Sequence, residues 1–158
     1  MKYLLDSNVL IHFERYTPRD VHPGLWESLE ELIDEKRVFL QRECLAELER
    51  GSDDLSKWAG NFSGFILESD EAEILRVAQI SNTYPGWVQQ QQNAADPWLI
   101  ACAEARDLVL VTDENLKGLN SSPAKMTIPT VIAHSGSAVL CWKSLAMQRE
   151  EGWRFTRG

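Results

Sequence analysis

Apolar positions follow two rhythms along this chain. Short, nearly unbroken apolar runs mark buried strands at Lys2–Asp6 (KYLLD), Val38–Gln41 (VFLQ) and Leu108–Thr112 (LVLVT). Between them the apolar residues recur at helical spacing. Leu25, Trp26, Leu29, Leu32 and Ile33 line one face of a helix over 25–35. A helix over Arg42–Gly51 stops on its glycine. Short helical stretches are expected at Asp53–Phe62, and after Ser69-Asp70-Glu71 through Ile74, Leu75, Val77, Ala78 and Ile80. Tyr84-Pro85-Gly86 ends the latter. Pro97–Arg106 is apolar almost all round, so its helix is buried. Ser7 and Asn8 offer capping chemistry for a helical turn through Val9, Leu10 and Phe13. Tyr16–Gly24, Gln89–Asn93 and Lys117–Thr127, the last with Gly118, Asn120, Ser121, Ser122 and Pro123, read as loops. Val139–Cys141 fits a last strand and Lys143–Glu151 a last helix, while Ile128–Gly136 suits helix and strand equally. Short strands alternating with helices predict a single α/β domain over residues 1–158, a short parallel sheet flanked by helices.

Against that framework the placement of acids stands out. Ligands of an open parallel sheet bind beyond the carboxyl ends of its strands. Asp6 ends the first strand, Asp113 and Glu114 follow the strand Leu108–Thr112, and Asp96 opens the buried helix that feeds it. Each has a plain structural explanation: Asp6 as a helix cap, Asp96-Pro97 as an N-cap and N1 pair, Asp113 and Glu114 as turn residues. If the two strands are neighbours, however, Asp6 meets Asp113/Glu114 on one edge. Glu47 borders the apolar arc of Cys44, Leu45 and Leu48, and Glu49 borders the opposite edge of that arc, so spacing does not choose between them. Clustered carboxylates repel and raise one another's pKa, a penalty that a divalent cation removes. Oxygen donors without His or Cys favour Mg²⁺ or Mn²⁺ over zinc.

Composition narrows the rest. The 158 residues carry a net charge of −8, so non-specific affinity for nucleic acid or anionic membrane is poor. A nucleic-acid role needs a metal, a basic partner or a local patch, for which Arg15, Arg19, Lys36, Arg37, Arg42, Lys117 and Lys125 are candidates. Cys44, Cys102 and Cys141 are dispersed in apolar settings, as are His12, His22 and His134 along the chain, with no zinc-ligand spacing. The six tryptophans are expected mainly in the core. With a first strand at Lys2 and no long apolar run, neither a signal peptide nor a membrane span is expected, and the location expected is cytoplasmic.

LLDSN at the start, AEL in the helix over 42–51, ADPWLIACA and LVLVTDEN, in that order, resemble the PIN-domain family. Within it they are similar to a branch of small bacterial proteins related to VapC-type toxins; the closing EEGWRF is similar to that branch's tail. The resemblance implies a PIN-like fold and a Mg²⁺- or Mn²⁺-dependent ribonuclease, the toxin of a type II toxin–antitoxin pair. It implies Asp6, Glu47 and Asp96 as three acids of the site and metal ligands. The fourth follows Thr112; a Thr-x-acid register favours Glu114, with Asp113 adjacent. Asn8 and Thr112 are implied as groups that orient the carboxylates. Expected partners are RNA, an antitoxin protein and a second copy of the chain as a homodimer. Two other readings compete. One is a PIN-like module that binds RNA or protein without cutting. The other is a haloacid-dehalogenase-like phosphatase, which needs a second Asp where this chain has Asn8.

Overall fold

Three apolar runs become the middle of one sheet because their residues are buried on both faces. Tyr3, Leu4 and Leu5 of β1 (Tyr3–Leu5) have no exposed surface. β1 pairs in parallel with β2 (Val38–Gln41) on one side and with β4 (Val109–Val111) on the other. Two-residue strands β3 (Ile66–Leu67) and β5 (Cys141–Trp142) extend the edges, in the order β3-β2-β1-β4-β5, all parallel. The computed structural model describes residues 1–117 and 122–157. Gly118, Asn120 and Ser121 of the expected polar loop therefore lie outside the described residues.

The chain builds outward from β1 through β2 to β3 and then returns to the other side of β1. That reversal opens a crevice between β1 and β4 at their carboxyl ends. The first half uses α1 (Ser7–Tyr16), α2 (Pro23–Asp34), α3 (Arg42–Gly51) and α4 (Asp53–Gly60). The return uses α5 (Glu71–Thr83) and α6 (Asp96–Arg106), which pack on each other. α7 (Ile128–Ser135), between β4 and β5 in the chain, packs on α6, and α8 (Ser144–Glu150) follows β5.

Local chemistry sets the boundaries. Asp70 and Glu73 close a reciprocal capping box on α5, two hydrogen bonds that satisfy amides the helix cannot. Gln41 caps α3 by accepting from the Glu43 amide at 2.6 Å. The ambiguous stretch at Ile128 is a helix, ended by Gly136 at φ +71°, a left-handed stop that suits glycine. Pro23 and Gly24, expected in a loop, instead start α2, with proline where no amide is needed. The last strand lies at Cys141–Trp142, slightly beyond the expected Val139–Cys141. β3 has no counterpart in the sequence reading, because two half-buried residues carry no period.

Candidate active site

The register of the three central strands puts Leu5 beside Leu40 and Val111, so the next residues, Asp6, Gln41 and Thr112, share one row at the carboxyl edge. All three are buried. Thr112 Oγ1 donates to Asp6 Oδ2 at 2.8 Å and accepts from Asn8 Nδ2 at 3.4 Å and from the Glu114 amide at 3.3 Å. Asn8 thus braces Thr112, and Thr112 fixes Asp6. Asp6 precedes α1 without closing a side-chain cap, so capping does not account for its burial.

Glu47 and Glu49 separate on α3. Glu49 is exposed, whereas Glu47 is half-buried and its Oε1 is sealed from solvent without a hydrogen-bond partner. Asp96 is 6% exposed. The N-cap of α6 is Ala95; Asp96 is the first helical residue and makes no capping bond, which corrects the N-cap explanation offered by the sequence. Its Oδ2 is also buried and unpartnered.

The adjacent acids after β4 diverge. Glu114 accepts from the Ile128 amide at the start of α7 through Oε2, at 2.8 Å. Asp113 faces α8 and α1 instead: it accepts from the Ser144 amide at 2.9 Å and the Ser144 hydroxyl at 3.1 Å, and contacts His12 Nδ1 at 3.3 Å. Asp6, Glu47, Asp96 and Glu114 are brought together; Asp113 is held beside them by other partners.

The four charges act on one another. Burial, reinforced by the Asp6 charge, raises Glu47 to about 7. Burial and Asp6 likewise raise Glu114 to about 7, partly offset by the Ile128 amide and Lys117. Burial raises Asp96 well above the usual carboxylate range, and Asp6, Glu114 and Glu47 add to it. Burial raises Asp6 too, against the pull of the Thr112 hydroxyl and the Asn8 and Ser7 amides. Among the described residues no group of three or more His, Cys, Asp or Glu side chains is placed to hold a metal ion. Mg²⁺ does not require such a group, because it is held by one or two carboxylates and keeps its waters. The all-oxygen donor set and two sealed, unpartnered carboxylate oxygens fit such an ion.

The sequence matches, over residues 3–155, the family described as Domain of unknown function (DUF4411). The chain belongs to that family. No curated protein matches it. Among solved structures, VapBC2 from Rickettsia felis, bound to a DNA fragment from its promoter, superposes with a TM-score of 0.54 at 14% identity, covering 90% of this chain and 98% of that one. FitAcB from Neisseria gonorrhoeae superposes with a TM-score of 0.52 at 22% identity, covering 89% and 96%. The fold of this DUF4411 member is PIN-like.

The expected basic patch does not pool at the site. Arg19 pairs with Glu30, Arg42 with Glu68, and Arg37 with Glu151 at the opposite edge of the sheet. Lys36 donates to the Ser63 carbonyl. Lys125 closes a single 3₁₀ turn, Pro123–Lys125. Lys117 stands near enough to Glu114 to ease its charge. The residue missed from sequence is His12, one helical turn after Asn8 on α1 and in contact with Asp113. Its i, i+4 spacing from Asn8 was the available signal. The cysteines are free thiols, Cys44 and Cys102 buried and Cys141 half-buried. No described helix is long and apolar enough to cross a membrane.

Proposed function

We propose that this protein is a Mg²⁺- or Mn²⁺-dependent ribonuclease that hydrolyses phosphodiester bonds in RNA, with Asp6, Glu47, Asp96 and Glu114 as its acidic site. One observation carries the reading: four buried or half-buried carboxylates converge at the topological switch point, their pKa values raised chiefly by burial and further by neighbouring acids, and two of their oxygens are sealed without a partner. Buried charge left unpaired is costly unless it serves a ligand. When bound, the cation supplies Lewis-acid charge to the phosphate and acidifies water.

The chain's own residues prepare that chemistry. Thr112 locks Asp6 through Oδ2, and the Ser7 hydroxyl lies 3.5 Å from Oδ1. Asp96 Oδ2 and Glu47 Oε1 are buried without a hydrogen-bond partner. The crevice must reach an exposed phosphate, so unpaired RNA is the substrate that fits. Asn8 braces Thr112 and is no acid, which disfavours the phosphatase reading.

Both structural neighbours come from toxin–antitoxin systems, which supports a toxin role and a protein antitoxin as partner. The test is cleavage of single-stranded RNA by the purified chain, with and without millimolar Mn²⁺ or Mg²⁺. Expected is cleavage that chelation abolishes, with metal raising the melting temperature by mass action. A folded, partner-free protein that neither cuts nor gains stability with metal would remove the reading.

A further inference from the structure

One exposed stripe of α1 starts at the acidic site and is built differently from the rest of the surface. His12 follows Asn8 by one turn and Tyr16 follows His12 by another, about 12 Å along the axis from Asn8 to Tyr16 at 1.5 Å per residue. His12 and Tyr16 form a tilted pair, ring centroids 5.8 Å apart at 59°. The Tyr16 ring is open to solvent, 67% exposed, with the Arg15 guanidinium 6.0 Å from its centroid. His12 is fixed by Asp113, which Ser144 holds through two hydrogen bonds. Glu14, the acid of this helix, is drawn away by the Ser52 hydroxyl at 3.0 Å. Among the described residues no ion pair holds Arg15.

We propose that the His12–Arg15–Tyr16 stripe binds the unpaired strand of RNA whose scissile phosphate lies at the acidic cluster, with bases stacking on the two rings and Arg15 meeting the backbone. The proposal rests on the ribonuclease reading for its substrate class. Two splayed rings suit unstacked bases, since every base offers a π-face and stacking tolerates sequence. A rigid ring at the mouth of the site sets where the strand enters. An unpaired arginine supplies local positive charge on a chain of net charge −8, without which an RNA strand is repelled. The double anchoring of Asp113 has a purpose in this arrangement: it holds His12 in place beside the acids without joining them.

The test uses the full chain carrying Asp96→Asn, which keeps the strand uncut, and a fluorescent single-stranded RNA read by anisotropy in Mg²⁺. Adding Tyr16→Ala should weaken binding about tenfold, whereas Tyr16→Phe should preserve it. Adding Arg15→Gln should reduce the slope of log K against log salt by about one. Tyr16 and Arg15 are exposed, so equal melting temperatures confirm that folding is untouched. Equal RNA affinity for Tyr16→Ala and its parent, or no RNA binding by the parent, overturns the proposal. If the unsubstituted chain fails to cut RNA but the stripe variants lose binding, the ribonuclease reading falls and the stripe stands.

Discussion

The two edges of the sheet bury the same kind of residue and treat it in opposite ways. At the amino edge Glu151 is half-buried with its side chain 8% exposed, and its Oε2 accepts from the Tyr3 hydroxyl at 2.6 Å and from Arg37 at 2.7 Å. Arg37 also donates to the Met1 carbonyl at 3.0 Å, so this edge ties both ends of the fold together. Between helices, buried Glu73 is likewise met by Arg106 and by its capping box. At the carboxyl edge Asp6, Glu47, Asp96 and Glu114 form no ion pair among the described residues, and Arg50 and Lys117 only ease Glu47 and Glu114 from a distance. Where a cation is built in, the desolvation of a carboxylate is offset on the spot and the group serves the fold. Where none is, the penalty remains until something else arrives. The contrast separates acids that carry a built-in cation from acids that carry none more sharply than burial does.

The largest effect that tests the contrast is Asp96→Asn. Asparagine keeps the shape and removes the charge. Because Asp96 makes no cap, folding loses only its modest interaction with the helix dipole, and relief from Asp6, Glu47 and Glu114 works the other way. Expected is an unchanged or higher melting temperature without metal, together with a loss of RNA cleavage of at least about a hundredfold. A folded Asp96→Asn protein that cuts at the parent rate would place Asp96 with the structural acids.

Arg37→Ala reverses the pattern. It strands Glu151 without its cation, which should cost about 2 kcal/mol, less than a fully buried pair because Arg37 is partly exposed. At this size that lowers the melting temperature by roughly 4–8 °C. Cleavage per folded molecule should not change. Calorimetry beside an activity assay separates the two; lost activity at full stability would mean the amino edge is not merely structural. Thr112→Val is the intermediate case. It deprives Asp6 of its 2.8 Å donor while keeping the side-chain volume, so metal affinity should fall about tenfold with little loss of fold. Mn²⁺ titration of both proteins checks it.

What the sequence revealed of this site followed from strand ends. Two apolar runs ending in acids located Asp6 and the Asp113/Glu114 pair, and the parallel pairing of β1 with β4 brings Asp6 and Glu114 together. Helical spacing left Glu47 and Glu49 tied, because both border one apolar arc; only packing against β1's neighbours buries one and exposes the other. Between Asp113 and Glu114, only the Thr-x-acid register of the family resemblance favoured Glu114. Their difference comes from Ser144 and Ile128, far along the chain, which no local pattern reports. Asp96 misled in the other direction: Asp-Pro at a helix start has a strong local meaning, yet the chain places Ala95 at the cap. The Arg37–Glu151 pair spans nearly the whole chain, so spacing could not show it, and Arg37 was instead grouped with a basic patch.

The smallest expected effect concerns pH, and it tests whether the carboxyl edge is strained as a unit. Glu47 and Glu114 sit near 7 in the folded protein, against an ordinary glutamate value of 4.5. Between those values the folded chain binds more protons than the unfolded chain. Stability therefore falls as pH rises through that window and levels off above it. The metal-free protein should melt a few degrees higher at pH 5 than at pH 8. Mg²⁺ should narrow the gap, because it binds the ionised carboxylates and so stabilises most at the higher pH. Asp96→Asn should flatten the slope by removing one of the repelling charges, whereas Arg37→Ala should shift the whole curve down and leave the slope as it is. A metal-free melting temperature that is level or rises from pH 5 to pH 8 would mean that the four acids do not burden one another, and the distinction between the two edges would lose its energetic basis.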